Sequence, residues 1–447
     1  MFKTLRNALK VKDIRNGLLF TFFILIVIRF GSMIPVPGLN TAAVKEYLES
    51  ALGDANSFLS SFTGGSFTQM SIFALNVTPY ITSSIIIQLL TIAIPALEEM
   101  QKDGEDGRKK IVEFTRYLNI VLSIIEGAAF AIGFGNSNLL QDGITVKSVT
   151  VMVLSLTAGS AFLMWLGEQI TEKGIGNGIS IIIMYNIVSG MPEDFGNLYT
   201  TFVQGASSTT NGLLAAVIII ALIVAMVAFI IVLQDAIRKI PVQYAKKLQG
   251  RKMVGGQQSF IPLKVNTAGV IPVIFASSLL SLPIIISSFA GIQPASGNGA
   301  SLWQKILKLC SQGNWCSFKS LGEFKYTLGL LVYIAMVIFF AYFYTNITFN
   351  PVEVSANLKK AGGLIPGIRP GKQTTDYLNN VLNNIIFIGA IGLTIIAVVP
   401  IFCSGAFNAN VGFGGTSLII VVGVVLETIK QIESQMLVRN YKGFLND

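Results

Sequence analysis

The chain has 447 residues, of which 52% are apolar and 12% charged, with 32 Lys and Arg against 23 Asp and Glu, a mean hydropathy of +0.66 and no histidine. A soluble domain carries about 25% charged residues, so a water-soluble globule is excluded and a multi-spanning membrane protein is indicated. The lack of histidine also excludes imidazole zinc sites, Ser-His-Asp triads and imidazole proton relays.

The basic N-terminal segment 1–16 runs into a long apolar stretch without a small-residue cleavage site. It reads as a retained leader to a first span, not a removed signal peptide. Ten spans are predicted, near 17–36, 71–95, 117–135, 148–170, 176–191, 212–234, 267–290, 326–347, 379–402 and 415–435. The sixth is the clearest, because Leu213 to Leu233 is an unbroken apolar run. Segments on the N-terminal side of this pattern hold 25 of the Lys and Arg residues, the opposite side holds 6, and Arg29 lies inside the first span. The positive-inside rule then places both termini in the cytoplasm. Ten spans also divide into two sets of five, and a duplicated unit with an odd number of crossings inserts inverted relative to its partner. Ten spans without internal symmetry remain the alternative.

Between the first two spans, "SFLSSFTGGSFTQM" (57–70) is external and uncharged. Phe58 and Phe62 share a helical face, and Gly64 and Gly65 permit a tight bend. The loop either folds back into the protein or lies on the outer leaflet. The second span is unusually polar, with Asn76, Thr78, Thr82, Ser83, Ser84 and Gln88. The fifth is short and flanked by glycines in "KGIGNGIS", the seventh opens "NTAGVIPVIFASS", and the tenth carries Glu427 and Lys430. Such helices survive at membrane depth only when protein or water surrounds them. Four of them together predict an internal path, whereas any one alone would be read as helix packing. Glu126 in the third span, Arg29 and Glu427 are the ionisable groups near membrane depth, so the predicted path is nearly uncharged.

Of the cytoplasmic loops, 96–116 mixes both signs and reads as a solvated face. Loop 235–265 carries seven basic residues, among them Arg238, Lys246 and Lys247, and its two β-like runs around Gly250 to Gly256 predict a protruding hairpin. Loop 348–378 contains "AGGLIPGIRPGKQT", where Pro366 and Pro370 stiffen a turn around Arg369, and Gly367 and Gly371 are read as clearing space for it. The glycine spacing is wrong for a phosphate loop, and Gln373 stands where Ser or Thr would be needed, so nucleotide binding is rejected. Basic juxtamembrane residues suit anionic lipid. Two ordered basic tips suit a large acidic partner such as ribosomal RNA or an acidic protein face. On the external side, "CSQGNWC" sets Cys310 and Cys316 six apart, a spacing that is weak evidence for a disulfide.

Six motifs in order carry a family resemblance: "IPVPG" (34–38), "TPYITSSIIIQLL" (78–90), "GEQITEKGIGNGISIII" (167–183), "IPLKVNTAGVIPVIFASS" (261–278), "NPVEVSANLKKAGGLIPGIRPGKQT" (350–374) and "FGGTSLII" (413–420). The chain resembles the SecY/Sec61-alpha family of protein-conducting channels along essentially its whole length. The resemblance implies an all-α clamshell in the plasma membrane, with ten helices in two inverted five-helix halves around an hourglass pore. It sets the N-terminal half at 17–191, an external hinge at 192–211, the C-terminal half at 212–435 and a cytoplasmic tail at 436–447. An aliphatic ring of Val77, Ile81, Ile183, Ile187, Ile274 and Ile420 is implied. So is a plug at about 57–71 that includes Phe62, Gly64, Gly65 and Phe67. A lateral gate is expected between the second and seventh spans, with Thr82 and Ser278 as seam positions. Arg369, with Arg238, Lys246 and Lys247, is expected to dock the SecA motor or the ribosome. SecE and SecG are the implied membrane partners, and signal peptides and nascent polypeptides are the clients. No catalytic residue, metal or cofactor is implied. The alternative is a secondary transporter or flippase on inverted repeats that uses Glu126 and Arg29.

Overall fold

The computed structural model describes residues 9–52, 63–137, 139–141, 143–204, 209–244, 247–249, 252–254, 258–289, 301–311, 315, 327–407 and 415–443. Its helices, in chain order, are α1 (Lys12–Gly31), α2 (Thr41–Leu52), α3 (Thr78–Ala93), α4 (Pro95–Lys102), α5 (Glu105–Asn136), α6 (Val146–Lys173) and α7 (Gly178–Leu198). A π-turn (Tyr199–Gln204) leads to α8 (Thr209–Asp235), and α9 (Ile271–Phe289), α10 (Leu302–Cys310), α11 (Leu328–Thr348), α12 (Pro351–Lys360), α13 (Lys372–Phe407) and α14 (Gly415–Gly443) complete the set. Ten of these occupy the ten predicted spans.

Among the described residues, α1, α5, α6, α8, α11 (continued by α12) and α13 are each long and apolar enough to cross a membrane, and the bent pair α3–α4 makes a seventh candidate. The 108° bend in that pair falls at Ile94, which is extended (φ −112°, ψ 110°). Pro95 lacks an N–H and bars its predecessor from the helical region, so the helix must break there. Outside that set, α7 carries Asn186 and the "PED" run at 192–194, the apolar run of α9 is short (Ile271–Leu280), and α14 carries Glu427, Lys430 and Glu433.

Helix ends depart from the predicted span limits. The backbone ladder continues into water wherever polar residues can follow the apolar run, so α5 begins at Glu105 and α13 reaches from Lys372 to Phe407. Pro192 lies inside α7, so the predicted start of the hinge at 192 falls within a helix. The predicted second span loses its first turns. Residues 71–77 are irregular and buried, with Asn76 in the left-handed region (φ 53°), and α3 starts only at Thr78. Irregular backbone is tolerated at membrane depth only when protein covers it.

The 235–265 loop is the predicted hairpin. β1 (Ile237–Tyr244) and β4 (Gln258–Lys264) pair antiparallel, with Ile240 opposite Ile261, and β2 (Lys247–Gln249) and β3 (Lys252–Val254) form the outer pair. The two basic loops, however, are not separate tips. β5 (Gly363–Leu364) pairs with the other edge of β1, giving the order β4-β1-β5. Ile240 and Val242 alternate inward from β1 and pack with Leu263, Leu358, Ile365, Leu378 and Ile385 in a core of their own.

Candidate functional site

A cavity of about 760 Å3 opens among α3, α5, α6, α7 and α9. Its outer part is charged, with Arg108, Arg116, Glu168 and Glu172, and its inner part is lined by Ile81, Ile183 and Ile274. Arg116 Nε donates to Glu168 Oε1 at 2.6 Å and ties α5 to α6 at the mouth. The two residues lie 52 positions apart, and no local pattern in the sequence marks them as a pair.

All six residues of the expected ring belong to one hydrophobic cluster. Ile81 and Ile274 are half-buried and line the cavity with Ile183, whereas Val77 (2% exposed), Ile187 (1%) and Ile420 (3%) are buried in the same cluster and do not line it. Four helices bring them together, and local chemistry fixes each one. Val77 is the N-cap of α3, and its N–H donates to Asn76 Oδ1 at 2.8 Å. Asn76, one of the polar residues of the second span, is thus turned to the backbone and is itself buried. At the start of α7, Asn177 Oδ1 accepts from the Ser180 N–H. Gly178 lies so close to the Gly167 carbonyl that a Cβ would overlap it, which sets the depth at which Ile183 and Ile187 sit.

Of the expected plug at about 57–71, residues 57–62, Phe62 among them, lie outside the described residues. Residues 63–71 fold back into the protein, which decides against an outer-leaflet position for them. Thr63, Ser66, Phe67 and Met70 are buried, and Phe67 meets the ring of Phe130 edge-on at 5.6 Å. Gly64 and Gly65 have φ of 62° and 82°, and Gly64 packs on Asn186 and Ser189 of α7. Arg29 Nη1 donates to the Gly64 carbonyl at 3.4 Å.

α3 and α9 line the cavity from different sides. Thr82 spends its hydroxyl on the Thr78 carbonyl, Ser278 is exposed, and no hydrogen bond joins them among the described residues. Glu126 does not line the cavity. It precedes Gly127, which packs on Val153 and Leu156 of α6. Lys430, read as a polar break in the tenth span, pairs through Nζ with Asp235 Oδ1 at 2.6 Å, both half-exposed at the end of α8.

On the sheet side, Arg238 projects from β1 and Arg369 from the turn after β5, both exposed. Thr374 Oγ1 donates to the Arg369 carbonyl at 2.9 Å, and Ser355 Oγ donates to the Gly371 carbonyl at 3.1 Å, so the turn is braced from both flanks. Gly367 and Gly371 do not clear space as expected, because a Cβ added at either would meet no neighbour within 4 Å. They are there for their φ values of 82° and 107°. Lys246 lies outside the described residues, as does the side chain of Lys247. Cys310 is half-buried, and burial pushes its thiol pKa up. Cys316 lies outside the described residues.

The SecY family profile matches residues 71–429. The protein translocase subunit SecY of Bacillus subtilis is 43% identical over the whole of both chains, and that of Streptomyces coelicolor is 42% identical over the whole of both. Among solved structures, a protein-conducting channel superimposes with a TM-score of 0.59 at 18% identity, covering 95% of this chain and 93% of that one. Sec61 in the canine ribosome–channel complex gives a TM-score of 0.57 at 16% identity, covering 95% and 93%. The all-α channel fold expected from the motifs is therefore the fold of this chain. The chain belongs to the SecY family, the multi-pass, non-enzymatic channel subunits of the protein translocase.

Proposed function

We propose that this chain is the conduit through which unfolded secretory polypeptides cross the plasma membrane, and that this structure is its resting, sealed form. The observation that carries the reading is the cavity that ends on the aliphatic cluster. Ile81, Ile183 and Ile274 line the cavity, and they pack in one cluster with the buried Val77, Ile187 and Ile420, which the reading takes as the closure. Aliphatic walls exclude water and ions by dewetting, and they offer a passing chain neither hydrogen bonds nor charges, so no client sequence is held. Residues 63–71 act as the plug behind that ring, and α3 and α9 part to release apolar segments into lipid. The tail, Arg369, Arg238, Lys246 and Lys247 face the cytoplasm and receive the SecA motor or a ribosome, with SecE and SecG as membrane partners. The charge bias and the basic sheet support that orientation. The Sec61 relative in a ribosome–channel complex supports the docking role.

A transporter reading loses support from the structure, because Glu126 is off the cavity and Arg29 is engaged with Gly64. The test is reconstitution of the purified complex in vesicles with the motor, ATP and a radiolabelled precursor. Precursor protected from external protease is expected, with no saturable uptake of small solutes. Saturable solute uptake without precursor protection would overturn the proposal.

A further inference from the structure

At the end of α9 away from the sheet, α10 (Leu302–Cys310, "LWQKILKLC") is a built helix with three distinct faces. Ser301 and Gln304 close a reciprocal cap at its start: the Gln304 N–H donates to Ser301 Oγ at 3.3 Å, and the Ser301 N–H donates to Gln304 Oε1 at 3.0 Å. One face is fixed to the bundle. Leu307 is fully buried, and Trp303 Nε1 donates to Ser287 Oγ of α9 at 2.9 Å. Trp315 Nε1 donates to the Leu309 carbonyl at 2.8 Å, while its ring packs on Tyr333 of α11. The second face carries Lys305 and Lys308. The third is apolar and uncovered, with Leu302 80% and Ile306 48% exposed.

A water-facing helix would not present Leu302, Ile306 and the edge of Trp303 together beside two lysines. The helix is pinned to the ends of two membrane helices whose outer surfaces are apolar and exposed, as at Leu279 on α9 and Leu328 and Leu331 on α11. The uncovered face of α10 thus lies beside helices whose exposed apolar surface suits lipid. An amphipathic helix of this make-up, with an aromatic residue at the apolar edge and lysines on the polar side, suits the boundary between acyl chains and headgroups.

We infer that α10 is an interfacial anchor: it sets Leu302 and Ile306 into the acyl-chain boundary of the outer leaflet and directs the exposed Lys305 to lipid phosphates. Through the Trp303–Ser287 hydrogen bond it moors α9, a helix that borders the cavity, to that leaflet. The inference rests on the spans crossing a membrane and not on the pore assignments.

The test uses the full-length chain in phosphatidylethanolamine–phosphatidylglycerol vesicles, with native cysteines replaced by alanine and nitroxides on Leu302→Cys, Lys305→Cys or Ile306→Cys. Collision rates with molecular oxygen, which concentrates in lipid, are compared with those for a water-soluble nickel chelate. The labels at 302 and 306 should be oxygen-dominated and the label at 305 nickel-dominated, with the oxygen-to-nickel ratio several-fold higher at the first two. Nickel-dominated labels at 302 and 306 would overturn the inference in favour of a water-facing helix. Labels there shielded from both reagents would overturn it in favour of a covering protein. If the cysteine-free chain does not fold, fluorescence of the parent chain minus that of Trp303→Phe decides. The Trp303 contribution should fall several-fold in vesicles with brominated acyl chains, and an unchanged contribution would overturn the inference.

Discussion

In one hydrophobic cluster, aliphatic side chains from α3, α7, α9 and α14 meet. In the basic platform, three strands pair edge to edge around a small core of their own, and the charged residues point outward. The first contact is non-directional. Burying each aliphatic side chain contributes roughly 1.5–3 kcal/mol, and the contact can be parted and remade because no hydrogen bond fixes its geometry. The second is directional, with backbone pairs along β1 on both edges and hydroxyl bonds bracing the Arg369 turn. On the proposed reading, the first is a seal that yields to a passing chain and the second a platform that does not yield when a partner pushes on it.

The sharpest way to break this comparison is to stop the soft region from yielding. Cysteines at Ser84 on α3 and Ile271 on α9, which line the cavity from both sides, should be bridged by a bismaleimide. Translocation should then be lost, while partner docking on the platform persists. Full precursor passage through the bridged protein would show that α3 and α9 need not separate.

Charge reversal on the rigid region comes next. Arg369→Glu should leave the protein inserted and folded, since an exposed turn contributes little to stability. Docking should weaken by about tenfold or more, the equivalent of 1.4 kcal/mol or greater. Protease mapping of topology beside a translocation assay checks both halves of the expectation. Normal insertion with normal translocation would remove Arg369 from the docking surface.

Gly64→Val probes the plug without touching the platform. A β-branched residue at φ 62° costs about 1–2 kcal/mol, and its Cβ would lie 2.6 Å from Ser189 Oγ and 3.0 Å from the Asn186 carbonyl. The segment must shift, so resting ion conductance should rise while platform binding stays at the parental level. The smallest effect is expected at the half-exposed Lys430–Asp235 pair. Lys430→Met should change stability by about 0–1 kcal/mol, as read by thermal unfolding in detergent, with translocation unchanged.

Much of the fold was legible because lipid imposes a simple code. Apolar runs marked the ten helix positions, and the two β-like runs of loop 235–265 marked the hairpin. Helix ends were less legible, since hydropathy registers where a helix meets lipid and not where its backbone ladder stops, as α5 and α13 show. The pairing of Gln243 with Leu364 joins loops 121 residues apart, and nothing local in either loop signals it. Family motifs, not spacing, picked out Val77, Ile81, Ile183, Ile187, Ile274 and Ile420, because aliphatic pairs at helical spacing occur throughout membrane helices. Of the polar second, fifth, seventh and tenth spans, the first three line the cavity, but the third and fourth spans line it too and no lining residue comes from the tenth. The Asn76 side chain shows that some of this polarity serves the backbone instead of a path.

The central claim is that the aliphatic cluster is the seal. Its most direct test is the resting conductance of the purified complex in a planar bilayer with Ile183→Asn and Ile274→Asn combined. Two amides at the inner end of the cavity would wet the constriction, so a raised ion leak with no motor or client present is the expected result. A double variant that inserts normally and conducts no more than the parent would contradict the account.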